Sequence, residues 1–271
     1  MIEHGSGLDA DTTARRRARY EAGSVNGTSG KASPSPAKVV ETIKIEGGSR
    51  LVENKNAGDP ESGKYLYSII PYREEVEFGK IGILGAEVYV MRCLDFAGVI
   101  SDAVNGEYEL TEANVKRHDE VLRHLLESYT VLPAEFGTVL QSGRVLTRLL
   151  KKANDHIMEG LRLVEDSVEL GVKAVVRKEV VDTREDADVK PDEILGPLKC
   201  LAVKSVSGDL FSDRLIFNES FLVKKEGLAT FSRGVEKLRS TYPMVRLLYS
   251  GPWAPYNFVH IRIGKDGIEF K

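Results

Sequence analysis

The sequence lacks the features that mark several protein classes. Its 271 residues include only two cysteines, Cys93 and Cys200, which are far apart and have no CxxC spacing. A disulfide scaffold is therefore excluded, and two buried free thiols are expected because each cysteine lies in an apolar stretch. No run approaches the ~18 apolar residues of a membrane span, and the first residues lack the basic start and apolar core of a secretory signal. We therefore expect a cytoplasmic protein without a membrane span.

An excess of charge of one sign is also lacking. The 38 Lys and Arg residues face 41 Asp and Glu residues, which gives a formal net charge of −3. A near-neutral chain has no extended basic surface for a phosphate backbone, so nucleic acid is not expected as the main partner. The dense basic group Arg15–Arg19 is interpreted as part of a solubilising tail, with an RNA anchor as the alternative.

Aromatic residues are nearly absent from the start of the chain, since Tyr20 is the only one before Tyr65. The segment is rich in Gly, Ser, Ala and Thr and contains the proline repeat Ser33–Pro36. Such a composition cannot bury a core, and residues 1–63 are predicted to form a mostly disordered tail. Within it, alternating residues from Val39 to Val52 indicate one isolated strand.

Apolar patterns predict strands and helices from Lys64 onward. The first half contains three strands and then two helices. The strands are predicted at Tyr65–Ile70, Ala86–Met91 and Phe96–Ile100. One helix is capped by Thr111 and ends near Tyr129, and the next begins near Ser142 and carries one apolar stripe to Val164.

The second half repeats this pattern after Gly171, which is interpreted as a break before a new sheet. Its predicted elements are, in order, strands at Val172–Val176 and Val180–Val181, an acidic loop at Asp182–Asp192, a short helix around Ile194–Val206, a strand at Arg214–Val223 that is bulged near Asn218, a helix at Leu228–Tyr242, strands at Val245–Tyr249 and Phe258–Ile263, and a hairpin turn at Asp266–Gly267. Strands that flank one or two helices in each half predict an α+β fold. We expect two small ferredoxin-like domains at residues 64–168 and 169–271, each an open antiparallel sheet with helices on one face.

The sequence contains no strong catalytic or metal-binding motif. The run Gly79–Gly85 has the spacing GxxGxxG rather than that of a phosphate loop, and it is interpreted as a flexible connection. Among the five histidines only His118 and His124, with Glu120 between them, offer a cluster, and it lies on the first predicted helix. Glu120 and His124 are interpreted as a helix-surface charge pair rather than metal ligands. No nucleophile stands beside a base, so we expect neither an enzyme nor a metal or cofactor site.

Two other segments combine proline and glycine with large aromatic rings. One is Val131–Val139, which places Pro133 and Gly137 around Phe136 between two helices. The other is Gly251–Val259, which contains Pro252, Pro255 and the only tryptophan, Trp253. Prolines fix φ, so both segments are predicted to be rigid turns that either seal a core edge or anchor a partner.

At these two segments the sequence resembles the gas vesicle accessory proteins GvpF and GvpL. The strings Asn218–Val223 and Leu66–Pro71 also resemble that family, and all four occur in the family's order. The resemblance implies a two-domain α+β protein without catalytic activity that associates with gas vesicles. It implies the hydrophobic shell protein GvpA and other accessory proteins as partners. It leaves open the choice between the F and L branches and retention as a minor vesicle component.

A shell subunit that faces gas exposes apolar surface before assembly, and a helper that covers this surface would prevent aggregation. Such a helper can offer a sheet edge for strand addition or an apolar groove for a helix. We expect the second domain to provide the contact through the strand around Asn218 and the rigid turn at Trp253. The predicted contact set is Asn218, Phe221, Val223, Trp253, Tyr256 and Phe258, and the residues predicted to hold turns are Pro133, Phe136, Gly137, Gly251, Pro252 and Pro255. The alternative is a cytosolic ferredoxin-like domain that binds a ligand or acts as an enzyme through His118, Glu120 and His124.

Overall fold

The computed structural model describes residues 62–103, 108–176, 190–212, 214–259, 261–264 and 267–270. The predicted tail lies outside these residues except for Ser62 and Gly63, and so does the strand predicted from Val39 to Val52. The described residues belong to one compact unit, Val52–Lys271. No helix among them is long and apolar enough to cross a bilayer.

Six strands form a first antiparallel sheet in the order β2-β3-β4-β1-β5, with β6 pairing with β1. They are β1 Lys64–Pro71, β2 Glu77–Gly79, β3 Val88–Cys93, β4 Phe96–Asp102, β5 Leu132–Pro133 and β6 Val139–Leu140. The three strands predicted from the sequence correspond to β1, β3 and β4. A ferredoxin-like fold has a helix between its first two strands, but here β2 and a 3-10 turn at Ile83–Gly85 stand in that place. The run Gly79–Gly85, predicted as a flexible connection, therefore contains the end of a strand and this turn.

Three helices accompany this sheet: α1 Glu112–Ser128, α2 Gly143–Lys152 and α3 Asn154–Leu163. Thr111 caps α1 as predicted, because its hydroxyl accepts a hydrogen bond from the Asn114 backbone N–H at 3.2 Å. The second predicted helix is in fact two helices. Ala153 has φ −96° and ψ 11°, which ends α2 and starts α3, while the apolar stripe continues across both.

Helices cover both faces of the first sheet. Successive side chains of β1 point to opposite faces, so β1 contributes residues to both buried clusters. Tyr65 and Tyr67 belong to one buried cluster with Val121 and Leu125 of α1. Leu66 and Ile69 belong to the other cluster, which contains the apolar faces of α2 and α3. The structure therefore adds a helical layer on the face opposite α1, beyond the single layer predicted.

The second sheet has the order β10-β7-β9-β8 and is antiparallel throughout. Its elements are β7 Ser167–Val176, α4 Pro191–Lys199, β8 Lys204–Ser207, β9 Leu215–Lys224, α5 Leu228–Thr241 and β10 Val245–Trp253. This βαββαβ sequence with the outer strands β10 and β8 is the ferredoxin-like arrangement, as predicted. Helices α4 and α5 bury Leu198, Phe231 and Val235 in the same cluster as Phe221 of β9.

Several predicted boundaries in this half were wrong. Gly171 lies inside β7 opposite Ser220 and does not interrupt the chain. Strand β9 is continuous through Asn218, and its bulge is at Ile216, which is the extra residue where Phe217 pairs with Ala174 and Leu215 with Val175, close to the position predicted near Asn218. The predicted helix Ile194–Val206 ends at Lys199, and β8 replaces its second half.

The acidic loop and the C-terminal strands are described only in part. Of the predicted loop Asp182–Asp192, residues 182–189 lie outside the described residues, and Pro191 is the first residue of α4. Val180 and Val181 also lie outside. A final hairpin joins β11 Ile261–Gly264 and β12 Gly267–Phe270, which agrees with the predicted turn, although β11 begins at Ile261 rather than Phe258.

The two sheets share their buried clusters. Leu222 of β9 lies in one cluster with Leu132 of β5 and Ile157 of α3. The division into domains at residues 64–168 and 169–271, behind a tail, stays a prediction. Of the two cysteines, Cys93 is buried as expected, but the prediction for Cys200 was wrong, because its residue is exposed directly after the last turn of α4.

Candidate functional site

The segment Gly251–Val259 begins as the end of β10 and then leaves the sheet. The pairing with β7 is irregular between Ser250 and Trp253, where Gly251 has φ +115° and the Gly251–Pro252 peptide bond is cis. A tight turn follows, in which the N–H groups of Phe258 and Val259 both donate to the Pro255 carbonyl at 3.0 Å. The predicted rigid turn is therefore a bulged strand end joined to a hydrogen-bonded turn.

A buried carboxylate holds this turn against the second sheet. Glu169 of β7 is fully buried, and its Oε2 accepts from the Asn257 backbone N–H at 2.9 Å. The Asn257 side-chain amide donates to Glu169 Oε1 at 2.6 Å and to Ser220 Oγ at 2.8 Å. A buried charge is tolerated when it accepts several hydrogen bonds, so this pairing fixes the position of the turn.

The segment Val131–Val139 is tied to β1 of the first sheet. The Ala134 N–H donates to the Tyr67 carbonyl at 3.0 Å, and the Leu66 N–H donates to the Thr138 carbonyl at 2.9 Å. Between these bonds Gly137 has φ +85°, a left-handed conformation that glycine adopts without steric cost. Pro133 lies in β5, and Phe136 packs its ring 6.3 Å from that of Tyr65.

A chain of four hydrogen bonds connects the two segments through the core. The Gly137 N–H donates to Tyr65 Oη at 2.9 Å, and Tyr65 Oη lies 2.9 Å from His118 Nδ1. On the other side of the ring, His118 Nε2 lies 2.9 Å from Tyr256 Oη, which donates to the Ala134 carbonyl at 3.2 Å. We call this chain the histidine–tyrosine bridge.

The bridge fixes the protonation of His118. Tyr256 donates its proton to Ala134, so its oxygen accepts from His118 Nε2–H. Nδ1 is then the acceptor for the Tyr65 hydroxyl, which assigns the neutral Nε2–H tautomer. Burial lowers the pKa of His118 to about 4, against an opposing contribution from the Ala134 carbonyl. All four bonds are satisfied only by neutral histidine.

Acid is therefore expected to destabilise the protein through His118. Unfolding releases a histidine with a pKa near 6.5, so the unfolded chain binds the extra proton between pH 6.5 and about 4. Stability is complete above pH 6.5 and falls through that window. At about 1.4 kcal/mol per pH unit, the loss approaches ~3 kcal/mol near pH 4.

Urea unfolding between pH 7.5 and pH 4 measures this loss. The matched variant is His118→Gln, which cannot take up a proton and should show a flatter profile in the same window. Burial raises the pKa of Asp102, but its hydrogen bond and charge contact with Lys64 outweigh burial and leave that pKa below 3.8, so Asp102 titrates below the window. Equal slopes for parent and variant would contradict a neutral buried His118.

Family comparisons match the part of the chain that contains these segments. The family model described as "Gas vesicle synthesis protein GvpL/GvpF" matches residues 63–196 and 182–260. Gas vesicle protein F of Haloferax mediterranei is 35% identical over 211 residues, which cover 74% of this chain and 95% of that protein.

The chain belongs to the GvpL/GvpF family. Gas vesicle protein F1 of Halobacterium salinarum is 34% identical, again over 74% of this chain and 95% of the relative. The crystal structure of GvpF from Anabaena sp. PCC7120 has the same fold with a TM-score of 0.62 at 23% identity, covering 73% of this chain and 98% of that one. The chain is thus a gas vesicle protein of accessory type with an α+β fold.

In this GvpL/GvpF-family fold the six predicted contact residues lie in two environments. Phe221, Val223 and Phe258 are buried in the core. Asn218, Trp253 and Tyr256 are half-buried. The role of all six in binding a partner stays a prediction.

Trp253 packs against α1 at the surface. The Arg123 guanidinium lies 4.4 Å from the centre of its ring, within the range of a cation–π contact. The indole Nε1 is buried and has no hydrogen-bond partner among the described residues. The ring therefore lies against α1 with its indole nitrogen away from solvent. Whether the turn seals a core edge or anchors a partner stays a prediction.

The predicted histidine group does not form one site. His118 points into the core, whereas Glu120 pairs with Arg117 at 3.0 Å on the helix surface and the His124 ring packs on Phe78. Among the described residues no three His, Cys, Asp or Glu side chains are placed to hold a metal ion. The sequence did not identify Tyr65 and His118 as the residues that join the segments, nor Glu169 and Asn257 as the pair that holds the turn to the second sheet. A signal existed for Glu169, which lies between Val168 and Leu170 as an acidic residue inside an apolar strand.

Proposed function

We propose that this protein binds the hydrophobic shell protein GvpA and assists gas vesicle assembly without acting as an enzyme. Family membership supports a role in gas vesicle synthesis. The observation that carries the binding function is the exposed apolar surface on the second sheet. Four large apolar side chains within eleven residues of sequence around β8 are 37% to 65% exposed: Leu201, Val203, Leu210 and Phe211.

Exposed apolar patches of this kind usually mark sites of protein interaction. A shell subunit that will face gas has a complementary need, because its own apolar surface aggregates in water until it is covered. The bridge contributes rigidity instead of chemistry, since both ring nitrogens of His118 are bound to tyrosine hydroxyls in the core. Preorganised surfaces bind with a smaller loss of conformational entropy.

Co-expression of the full chain with a tagged GvpA subunit from the same organism tests the proposal. We expect a soluble complex in pull-down and size-exclusion chromatography, and aggregated shell protein when an unrelated α+β protein of similar size is co-expressed. Aggregation in both cases, with no complex, would contradict the proposal. Trp253→Ala in the same assay tests the Trp253 contact, because a folded variant that binds like the parent removes this side chain from the interface.

A further inference from the structure

Strand β8 forms an open edge of the second sheet. Its inner side pairs with β9, and none of the described strands pairs with its outer side. The Gly208 N–H donates to the Asn218 carbonyl at 2.7 Å and so extends the ladder beyond the strand. Backbone groups alternate along an antiparallel pair, so Lys204 and Val206 bond to β9 while Ser205 and Ser207 direct their N–H and C=O groups outward. This outer side is about 13 Å long.

Exposed apolar side chains stand at both ends of this edge. Leu201 and Val203 precede β8 and are 37% and 51% exposed, and Leu210 and Phe211 follow it at 60% and 65%. Edge strands without a partner are usually protected by charge or by a covering segment. The short β8 has one such protection in Lys204, but the apolar pairs at its ends favour occupation by another strand.

The charged side chains around the edge of β8 indicate which kind of strand can bind there. Lys204 is exposed, Lys199 reaches the buried Glu219 at 3.7 Å with its side chain still 46% exposed, and Lys173 lies 5.3 Å from the Phe211 ring. Among the described residues that connect β8 to β9, Asp209 is the exposed carboxylate. A second copy of this chain would bring another set of lysines to the interface, which like-charge repulsion disfavours. A strand with carboxylates at its ends would be attracted.

We infer that the outer edge of β8 receives an extended segment of the shell subunit, apolar at alternate positions and carrying carboxylates near its ends. This inference rests on the function proposed above. The segment adds as a fifth strand, accepts the Ser205 and Ser207 N–H groups, and places its apolar side chains against Leu201, Val203, Leu210 and Phe211. Strand addition gains affinity from main-chain bonds and specificity from the flanking side chains. The predicted contact strand, β9, cannot serve in this way because it is paired on both sides.

Two variants with matched controls test the edge in the co-expression assay. The first variant, Ser205→Pro, removes one outward N–H and no bond to β9, and its control, Ser205→Ala, keeps that N–H. The second variant, Phe211→Ser, removes an exposed apolar side chain at the end of the edge. Its control, Leu84→Ser, removes a leucine that is 77% exposed beside the first sheet. We expect Ser205→Pro and Phe211→Ser each to reduce the recovered soluble complex about tenfold, the effect of losing roughly one hydrogen bond or one apolar contact, with both controls at the parent level. Circular dichroism melting verifies that each variant folds, and Phe211→Ser keeps the test valid if Ser205→Pro does not.

Amide hydrogen exchange gives a second readout on the parent complex. Exchange at Ser205 and Ser207 should slow at least about tenfold on binding, while the already paired Val206 changes little. If the parent and both edge variants bind the shell subunit equally well, the subunit does not bind at the edge of β8, while the proposed function remains supported. Absence of any complex with the parent would overturn both. A parent dimer that Ser205→Pro converts to monomer would show that a second copy occupies the edge, which also overturns the inference.

Discussion

Replacing Tyr65 by alanine is expected to lower the free energy of unfolding by about 3–5 kcal/mol, the usual cost of removing a fully buried aromatic ring. The ring packs against Tyr67 at 4.7 Å and Tyr108 at 4.9 Å between centroids. Its hydroxyl also receives the Gly137 N–H and lies against His118. The substitution therefore creates a cavity and opens the histidine–tyrosine bridge at once. Urea or thermal unfolding of the full chain measures the loss.

Tyr65→Phe separates the two contributions. This variant keeps the ring but leaves the Gly137 N–H and His118 Nδ1 without the hydroxyl, which should cost about 1–3 kcal/mol. The matched control is Tyr72→Phe, whose exposed hydroxyl makes a 3.4 Å bond to Glu75 and whose loss should change stability by less than about 0.5 kcal/mol. If Tyr65→Phe is as stable as the control, the bridge does not stabilise the fold.

Local sequence signals predicted the elements that depend on local contacts. Helix α1 was predicted because a threonine cap and apolar spacing both act within a few residues. The stripe from Ser142 to Val164 was predicted as one helix because periodicity is insensitive to a break that keeps the apolar face aligned, as Ala153 does. Local preference predicts a break at Gly171 because glycine is rare inside strands, yet the central position of β7 between β9 and β10 outweighs that preference.

The site was harder to predict because its contacts are distant in sequence. His118 bonds to Tyr65 across 53 residues and to Tyr256 across 138. Asn257 reaches Glu169 across 88. Each residue alone has an ordinary interpretation, such as a histidine on the apolar side of a helix. The two proline–glycine segments are predicted from the sequence to be turns, but only the fold shows that one buried histidine joins them.

The hydrogen bonds of the turn after β10 fix the second sheet relative to the first. The Glu169 and Asn257 pair fixes the turn after β10 to the sheet that ends at β8, and Tyr256 fixes the same turn to the first sheet. Glu169 is fully buried and Asn257 is half-buried, and an unsatisfied buried polar group is costly, so the turn has few alternative positions. A binding edge on that sheet is thereby held in one orientation relative to the bridge.

Gly251→Ala is expected to be the second strongly destabilising substitution. At φ +115° a side chain is strained, which costs about 1–3 kcal/mol. A Cβ at this position would also lie 2.8 Å from the Glu169 carbonyl oxygen, so the backbone of β7 would have to move, at a further ~1–3 kcal/mol. We expect a total loss of roughly 3 kcal/mol or more in the free energy of unfolding, together with loss of the soluble complex with GvpA, because the shift displaces the turn that contains Tyr256 and Asn257.

Alanine substitutions at two other glycines show how much of this stability loss comes from backbone strain and how much from the close contact with Glu169. Gly85 has φ +74° and open space around the added Cβ, so Gly85→Ala should cost only about 1–2 kcal/mol. Gly196 lies in α4 without a positive φ, and no atom beyond its chain neighbours lies within 4 Å of an added Cβ, but Pro197 follows it and disfavours the helical conformation of a residue that carries a Cβ. Gly196→Ala should therefore stay within about 1 kcal/mol of the parent. The predicted order of stability is parent, Gly85→Ala, Gly251→Ala, with Gly196→Ala close to the parent. If Gly251→Ala matches Gly85→Ala, the close approach to Glu169 contributes nothing, and the strand end at β10 is free to move without disturbing the carboxylate that holds the turn.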